Sequence, residues 1–134
     1  MDFSIHSTLL ASFLDTPAAI ASFNLRLRLC ALRNFITSTH RGHGHIIAKG
    51  GDLNLMMAEL FGRETGYCKG KGGSMHIADM EKMNHLGANG IVGGGQPISA
   101  GSALASKILG DGAVTVGCFG DGATNEGSFH EALN

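Results

Sequence analysis

The sequence predicts an α/β fold, a parallel sheet flanked by helices, and three stretches carry that expectation. Ala113–Phe119 is a short apolar and β-branched run bounded by Gly112 and Gly120, the pattern of a strand buried in a parallel sheet. Asp52–Gly62 sets Leu53, Met56, Met57, Leu60 and Phe61 at helical spacing between an Asp cap and a glycine stop. Ile98–Leu109 follows Pro97, a residue suited to the first helical turn, and ends at Gly110.

Taken in order, residues 1–35 say least. Leu9–Leu14 is too short and too poor in flanking positive charge for a signal peptide, and no apolar run reaches the length of a transmembrane helix. Asp15-Thr16-Pro17 suits a helix start with Ala18–Phe23 behind it, whereas Leu25–Leu29 alternates with period two, as a strand does. An Arg- and Ser-containing start is compatible with organelle targeting, but Asp2 and Asp15 count against it.

Chemistry becomes readable at Ile36-Thr37-Ser38-Thr39-His40-Arg41-Gly42-His43-Gly44-His45. Three histidines at short spacing allow a transition-metal site, surface or hydrogen-bonding histidines, or an anion site in which Arg41 presents its fork of donors to phosphate oxygens. The Leu/Met stripe of Asp52–Gly62 is expected to be core or subunit interface. Beyond it, Gly66–His76 sets two lysines among four glycines, either a phosphate nest or a mobile loop. It lacks the Lys-Ser/Thr ending of a nucleotide-triphosphate loop.

Gly87–Pro97 is a second glycine-rich turn, with Gly93-Gly94-Gly95 readable as a flexible hinge. The helix after it is built from small residues, including Ala100, Gly101, Ala103, Ala105 and Ser106, so it should pack closely against the sheet or a partner. The last motif, Gly120-Asp121-Gly122-Ala123-Thr124-Asn125-Glu126-Gly127, puts Asp121 just past the carboxyl end of the Ala113–Phe119 strand, where open α/β sheets bind ligands. Gly120 and Gly122 leave the main chain bare beside it for a phosphate. Ser128 and Glu131 fit a capping box for the next helix, with Thr124 or Asn125 as caps a turn earlier. A helix terminus contributes only about 0.3–1 kcal/mol toward an anion, so a diphosphate needs a cation as well, and Asp121 is a hard-oxygen ligand for Mg²⁺.

These motifs, in this order from Ile36 to Asn134, resemble the alpha subunit of the thiamine-diphosphate-dependent decarboxylating component of pyruvate or acetoin dehydrogenase. The resemblance implies a thiamine-diphosphate-binding fold. It divides the chain into a divergent segment, 1–35, and a partial cofactor-binding domain, 36–134, cut short at its carboxyl end. A Gly-Gln-Glu-Ala motif and a substrate-side histidine found early in that family have no counterpart here, and neither do its second Mg²⁺ ligand and a later catalytic histidine loop. By resemblance, His40 and Arg41 contact the diphosphate. Gly90 and Val92 give backbone hydrogen bonds to the aminopyrimidine, Ile91 and Val92 having the apolar character to prop the cofactor in a bent shape. Asp121, Gly122 and Ala123 belong to the diphosphate loop, with Asp121 the Mg²⁺ ligand.

The implied activity is decarboxylation of pyruvate or a related 2-oxo acid, or cleavage of acetoin, with transfer to a lipoyl acyltransferase. The implied assembly is an α₂β₂ heterotetramer whose beta subunit supplies the activating glutamate, so no catalytic base is assigned to this chain. A non-catalytic truncated remnant that at most binds a beta-type partner, and a generic phosphate-binding module, are the alternatives. The wording of the Gly-Asp-Gly and Thr-His-Arg motifs leans toward the bacterial acetoin type.

Composition sets the outer bounds. The 134 residues are 43% hydrophobic and 16% charged, suited to one soluble globular domain. Ten basic and eleven acidic side chains leave a net charge near zero, which argues against a nucleic-acid or membrane partner. Cys30, Cys68 and Cys118 show no paired or ligand spacing and are expected to be reduced thiols. A bacterial cytoplasmic setting is expected over a mitochondrial one.

Overall fold

The computed structural model describes residues 33–134 and, as backbone, residues 8–12. The expected helix after Pro17, the alternating run Leu25–Leu29 and Cys30 lie outside the described residues. Four strands, β1 (Thr8–Ser12), β2 (Phe35–Thr39), β3 (His85–Asn89) and β4 (Thr115–Phe119), form a parallel sheet in the order β1-β4-β2-β3. The expected buried strand is β4, four of whose five residues are buried. Strands β2 and β3 were not legible in advance. Phe35–Thr39 reads as polar, and His85–Asn89 carries Gly87, yet β2 is central because both its neighbours hydrogen-bond to it.

From β2 the chain runs through α1 (His43–Ala48), α2 (Leu53–Leu60) and α3 (Met80–Met83) to β3, then through α4 (Gly95–Leu109) to β4 on the opposite side of β2. The direction of winding therefore reverses between β2 and β4. That reversal opens a crevice at the carboxyl ends of the two strands.

Helix α4 is the small-residue helix, and it packs on β2 and β4. Its sheet-facing side buries Ser99, Ala103 and Ser106. Two hydroxyl pairs fasten it, Ser99 to Thr37 of β2 at 2.7 Å and Ser102 to Thr115 of β4 at 2.8 Å. It begins at Gly95, ahead of the expected Ile98, and ends on Gly110 in the left-handed conformation. The core divides into Ile36, Ala48, Val116 and Cys118 under the sheet, and Ile46, Met56, Ile77 and Met83 beneath the α1–α3 layer.

Of the two expectations for the α2 stripe, core or subunit interface, burial within this chain meets the first only in part. Asp52 caps it by accepting from the Asn54 N–H at 2.7 Å, and Gly62 follows its end at positive φ. Of the apolar stripe only Met56 is buried, while Leu53, Met57, Leu60 and Phe61 are exposed. The other buried residue is Glu59, fully enclosed. A carboxylate tolerates such a site only when its lone pairs are met, and four backbone N–H groups meet them: Cys68 and Gly70 donate to Oε2 at 2.8 and 2.9 Å, Gly72 and Gly73 to Oε1 at 2.7 and 3.0 Å.

Candidate functional site

The crevice between β2 and β4 is a cavity of about 200 Å³. His40, Gly90, Val92, Asp121, Gly122 and Ala123 all line it. Arg41, the remaining sequence-derived candidate, is exposed one residue beyond and is not among the lining residues. The walls are completed by Thr39, Asn89, Ile91, Gly93, Gln96, Cys118, Phe119 and Gly120. Sequence reading brought none of Thr39, Asn89, Gln96 or Cys118 to the site.

Asp121 opens a 3₁₀ turn, Asp121–Asn125, directly after β4. The Thr124 hydroxyl donates to the Asp121 carbonyl at 2.6 Å and the Ala123 N–H to the Gly120 carbonyl at 3.0 Å, which fixes the loop while leaving the Asp121 side chain exposed. A Cβ added at Gly120 or Gly122 meets no atom within 4 Å. Both positions face open space, so the main chain beside Asp121 is bare. The next helix, α5 (Gly127–Leu133), is capped at Glu126 with no side-chain bond, so the expected capping box does not form. Ser128 instead donates to the Gly93 carbonyl at 3.1 Å, tying α5 to the opposite wall.

That wall is the turn after β3. The Asn89 side chain accepts from the Ile91 N–H at 2.9 Å, and Gly94 N–H donates to the Ile91 carbonyl at 3.1 Å. Gly93 has φ +80°, and a Cβ there would lie 2.6 Å from the Ser128 hydroxyl, so the hinge reading gives way to a pinned turn. His76 donates from Nδ1 to the Ala88 carbonyl at 3.1 Å and packs its ring edge toward Gly90. Ile91 and Val92 are exposed at the rim.

The clustered histidines go separate ways. His40 lines the cavity, His43 bonds the Ser74 hydroxyl at 3.1 Å, and His45 bonds the Ser38 hydroxyl at 2.7 Å. Among the described residues no three His, Cys, Asp or Glu side chains gather as a metal site, so the transition-metal reading is set aside. The lysine-glycine loop is not an open phosphate nest either, because Glu59 takes its N–H groups. Burial pushes the Glu59 carboxyl up, and the four backbone donors outweigh it, leaving the group below its ordinary value and ionised. Cys68 and Cys118 are free thiols. Burial pushes Cys118 up to about 12, so this wall offers a neutral thiol and no nucleophile.

Gln96, in the first turn of α4, is buried, and its carboxamide oxygen has no hydrogen-bond partner. The signal available in advance was a lone polar residue between Gly95 and Pro97, too slight to separate from a surface position.

The sequence model of the dehydrogenase E1 component family matches residues 27–134. The chain is 67% identical over 99 residues to the alpha subunit of acetoin:2,6-dichlorophenolindophenol oxidoreductase of Bacillus subtilis, covering 74% of this chain and 29% of that protein. Identity to the Cupriavidus necator protein of the same name is 58% over 99 residues, covering 74% and 29%. Identity to the alpha subunit of the pyruvate dehydrogenase E1 component of Zymomonas mobilis is 45% over 102 residues, covering 76% and 28%. The chain thus spans less than a third of the length of the curated relatives it matches.

Proposed function

The chain belongs to the dehydrogenase E1 component family, and from that premise we propose that it furnishes the alpha-side half of a thiamine diphosphate and Mg²⁺ site in an enzyme that cleaves acetoin. The observation that carries this reading is the cavity at the strand reversal, which gathers His40, the Gly90–Val92 turn and the Asp121 loop.

The residues present fit such a group. Asp121 extends an exposed carboxylate, the donor type that Mg²⁺ selects. The open space over Gly120 and Gly122 lets phosphate oxygens approach the main chain. The cavity, about 200 Å³, is smaller than the roughly 300–1,000 Å³ of a complete small-molecule site. The missing wall is assigned to a beta-type subunit in an α₂β₂ assembly.

When bound, thiamine diphosphate supplies carbanion chemistry at a carbonyl carbon. This chain's part is to hold and orient. Asp121 would anchor the metal, the glycines of its loop would admit the diphosphate, and the backbone of Gly90 and Val92 would serve the ring. Arg41 lies close enough in sequence to His40 to add charge at the rim, and the apolar side chains of Ile91 and Val92 exclude water there. Proton transfer falls to the beta-type partner, and a lipoyl acyltransferase is the acceptor within this reading. Acetoin is favoured over pyruvate because the two acetoin-type relatives are 67% and 58% identical where the pyruvate-type relative is 45%. A bacterial cytoplasmic setting belongs to the same reading.

Calorimetric titration of thiamine diphosphate into the chain and its beta-type partner, with and without Mg²⁺, tests the site. Binding is expected to require Mg²⁺ and to weaken at least about tenfold in Asp121→Ala, the loss of one charge-assisted metal contact. Binding indifferent to both would overturn the proposal. In the same assembly, kcat/KM for acetoin should exceed that for pyruvate, and the reverse order would reassign the substrate.

A further inference from the structure

Helix α5 buries none of its residues, yet it reaches both walls of the crevice. Its Phe129 rests edge-on against Phe119 at the end of β4, with ring centroids 5.5 Å apart. Toward the Asp121 loop, His130 donates from Nε2 to the Thr124 carbonyl at 3.1 Å, and the Thr124 hydroxyl in turn donates to the Asp121 carbonyl at 2.6 Å. Toward the turn after β3, the Ser128 hydroxyl donates to the Gly93 carbonyl at 3.1 Å. The approach on that side leaves no room for a side chain, because a Cβ on Gly93 would lie 2.6 Å from the Ser128 hydroxyl and 2.9 Å from the Glu126 Cβ. Gly93 therefore answers to α5 as well as to its own φ of +80°.

Each wall has bonds of its own. Asn89 to Ile91 shapes the turn and Thr124 to Asp121 shapes the loop, but a bond confined to one wall leaves the distance to the other unset. The Ser128 bond joins residues 35 apart in sequence and spans the two. Ser128 does not line the cavity, so it acts on an occupant only through the wall it holds. An occupant that touches a single wall is indifferent to the spacing. One that touches both must order them itself wherever the protein has not, and that ordering is taken from its affinity. Resting on the function proposed above, we infer that Ser128 is a positioning residue that presets the distance between the Asp121 loop and the Gly90–Gly93 turn, and so favours a cofactor bridging both walls over inorganic pyrophosphate, which needs only one.

The test sets two ligands against two variants in the chain assembled with its beta-type partner, read by calorimetry. The ligands are thiamine diphosphate and inorganic pyrophosphate, each with Mg²⁺. Ser128→Ala removes the hydroxyl, and Ser128→Thr keeps it. Ser128 is half-buried and outside both core clusters, so both variants should fold. Loss of one hydrogen bond should weaken thiamine diphosphate about fivefold in Ser128→Ala, leave pyrophosphate within about twofold, and leave both ligands within about twofold in Ser128→Thr. Equal weakening of the two ligands, no weakening of either, or a Ser128→Thr variant as weak as Ser128→Ala overturns the role of Ser128 while the cofactor site stands. Thiamine diphosphate binding without any pyrophosphate binding in the unaltered assembly also overturns it, because the loop would then not be a wall that a diphosphate uses alone. Failure of the unaltered assembly to bind thiamine diphosphate overturns the site and the role of Ser128 together.

Discussion

His85 enters the sheet on β3 with no exposed surface and with neither ring nitrogen hydrogen-bonded. Burial, helped by His45 and Lys49 and opposed by Asp79, pulls its pKa down from 6.5 to about 4. The unfolded chain therefore takes up this proton first as pH falls. Stability is at its full value above about 6.5 and declines as pH drops toward 4, by up to about 3 kcal/mol for a shift of this size. His85→Phe, which fills the site without a titrating group, should flatten that part of the profile in urea melts between pH 4.5 and 8. A variant that loses stability in acid as steeply as the parent would assign the decline to other groups. Nothing in the sequence distinguished His85 from the other six histidines. The cavity-lining positions that were legible, Asp121, Gly122 and Gly90, sit in local motifs whose glycines announce a bare backbone, whereas the buried placement of His85 arises from distant segments.

At the scale of elements, the loop from Gly66 to Gly73 behaves as part of α2, because one carboxylate of that helix holds four of its N–H groups. The sequence showed the glycines and lysines but not the anion that organises them. Glu59 falls within an exposed-looking run, and its burial follows from the loop folding back over it. Glu59→Gln replaces one accepting oxygen with a donor, leaving two loop N–H groups without an acceptor, and should cost about 2–4 kcal/mol. Amide exchange at Cys68, Gly70, Gly72 and Gly73 should accelerate well beyond any change in β2, and uniform protection across the loop in the variant would refute the anchoring role. Helix α1 and strands β2 and β3 were illegible for a related reason. Gly42 and Gly44 mask the helix signal, and Thr37-Ser38-Thr39 is polar where a central strand is ordinarily apolar. Their positions are settled by hydrogen bonding to neighbours, β2 lying between β3 and β4.

For the molecule as a whole, the cavity lies where the chain reverses its winding, so an occupant touches the ends of β2 and β4, the turn after β3 and the start of α4 at once. Ser128 already links the two walls through Gly93. A ligand there binds a surface that exists only when the sheet is assembled, and it must stabilise the folded state by mass action. At a hundredfold excess over Kd the gain is about 2.7 kcal/mol, worth roughly 10 °C in Tm for a domain of this size. Thermal melts of the assembled protein should therefore rise by about that much when thiamine diphosphate and Mg²⁺ are added. Asp121→Ala should cut the rise to about half or less, as a tenfold weaker Kd requires, with little change in the ligand-free Tm, because its exposed carboxylate is at the cavity and not in the core. Glu59→Gln should do the opposite, lowering the ligand-free Tm by several degrees while keeping the rise, since Glu59 supports a loop outside the cavity lining. The two variants separate binding from scaffolding. A rise undiminished in Asp121→Ala, or one that disappears in Glu59→Gln, would mean that the cofactor is held by surfaces other than the crevice between β2 and β4.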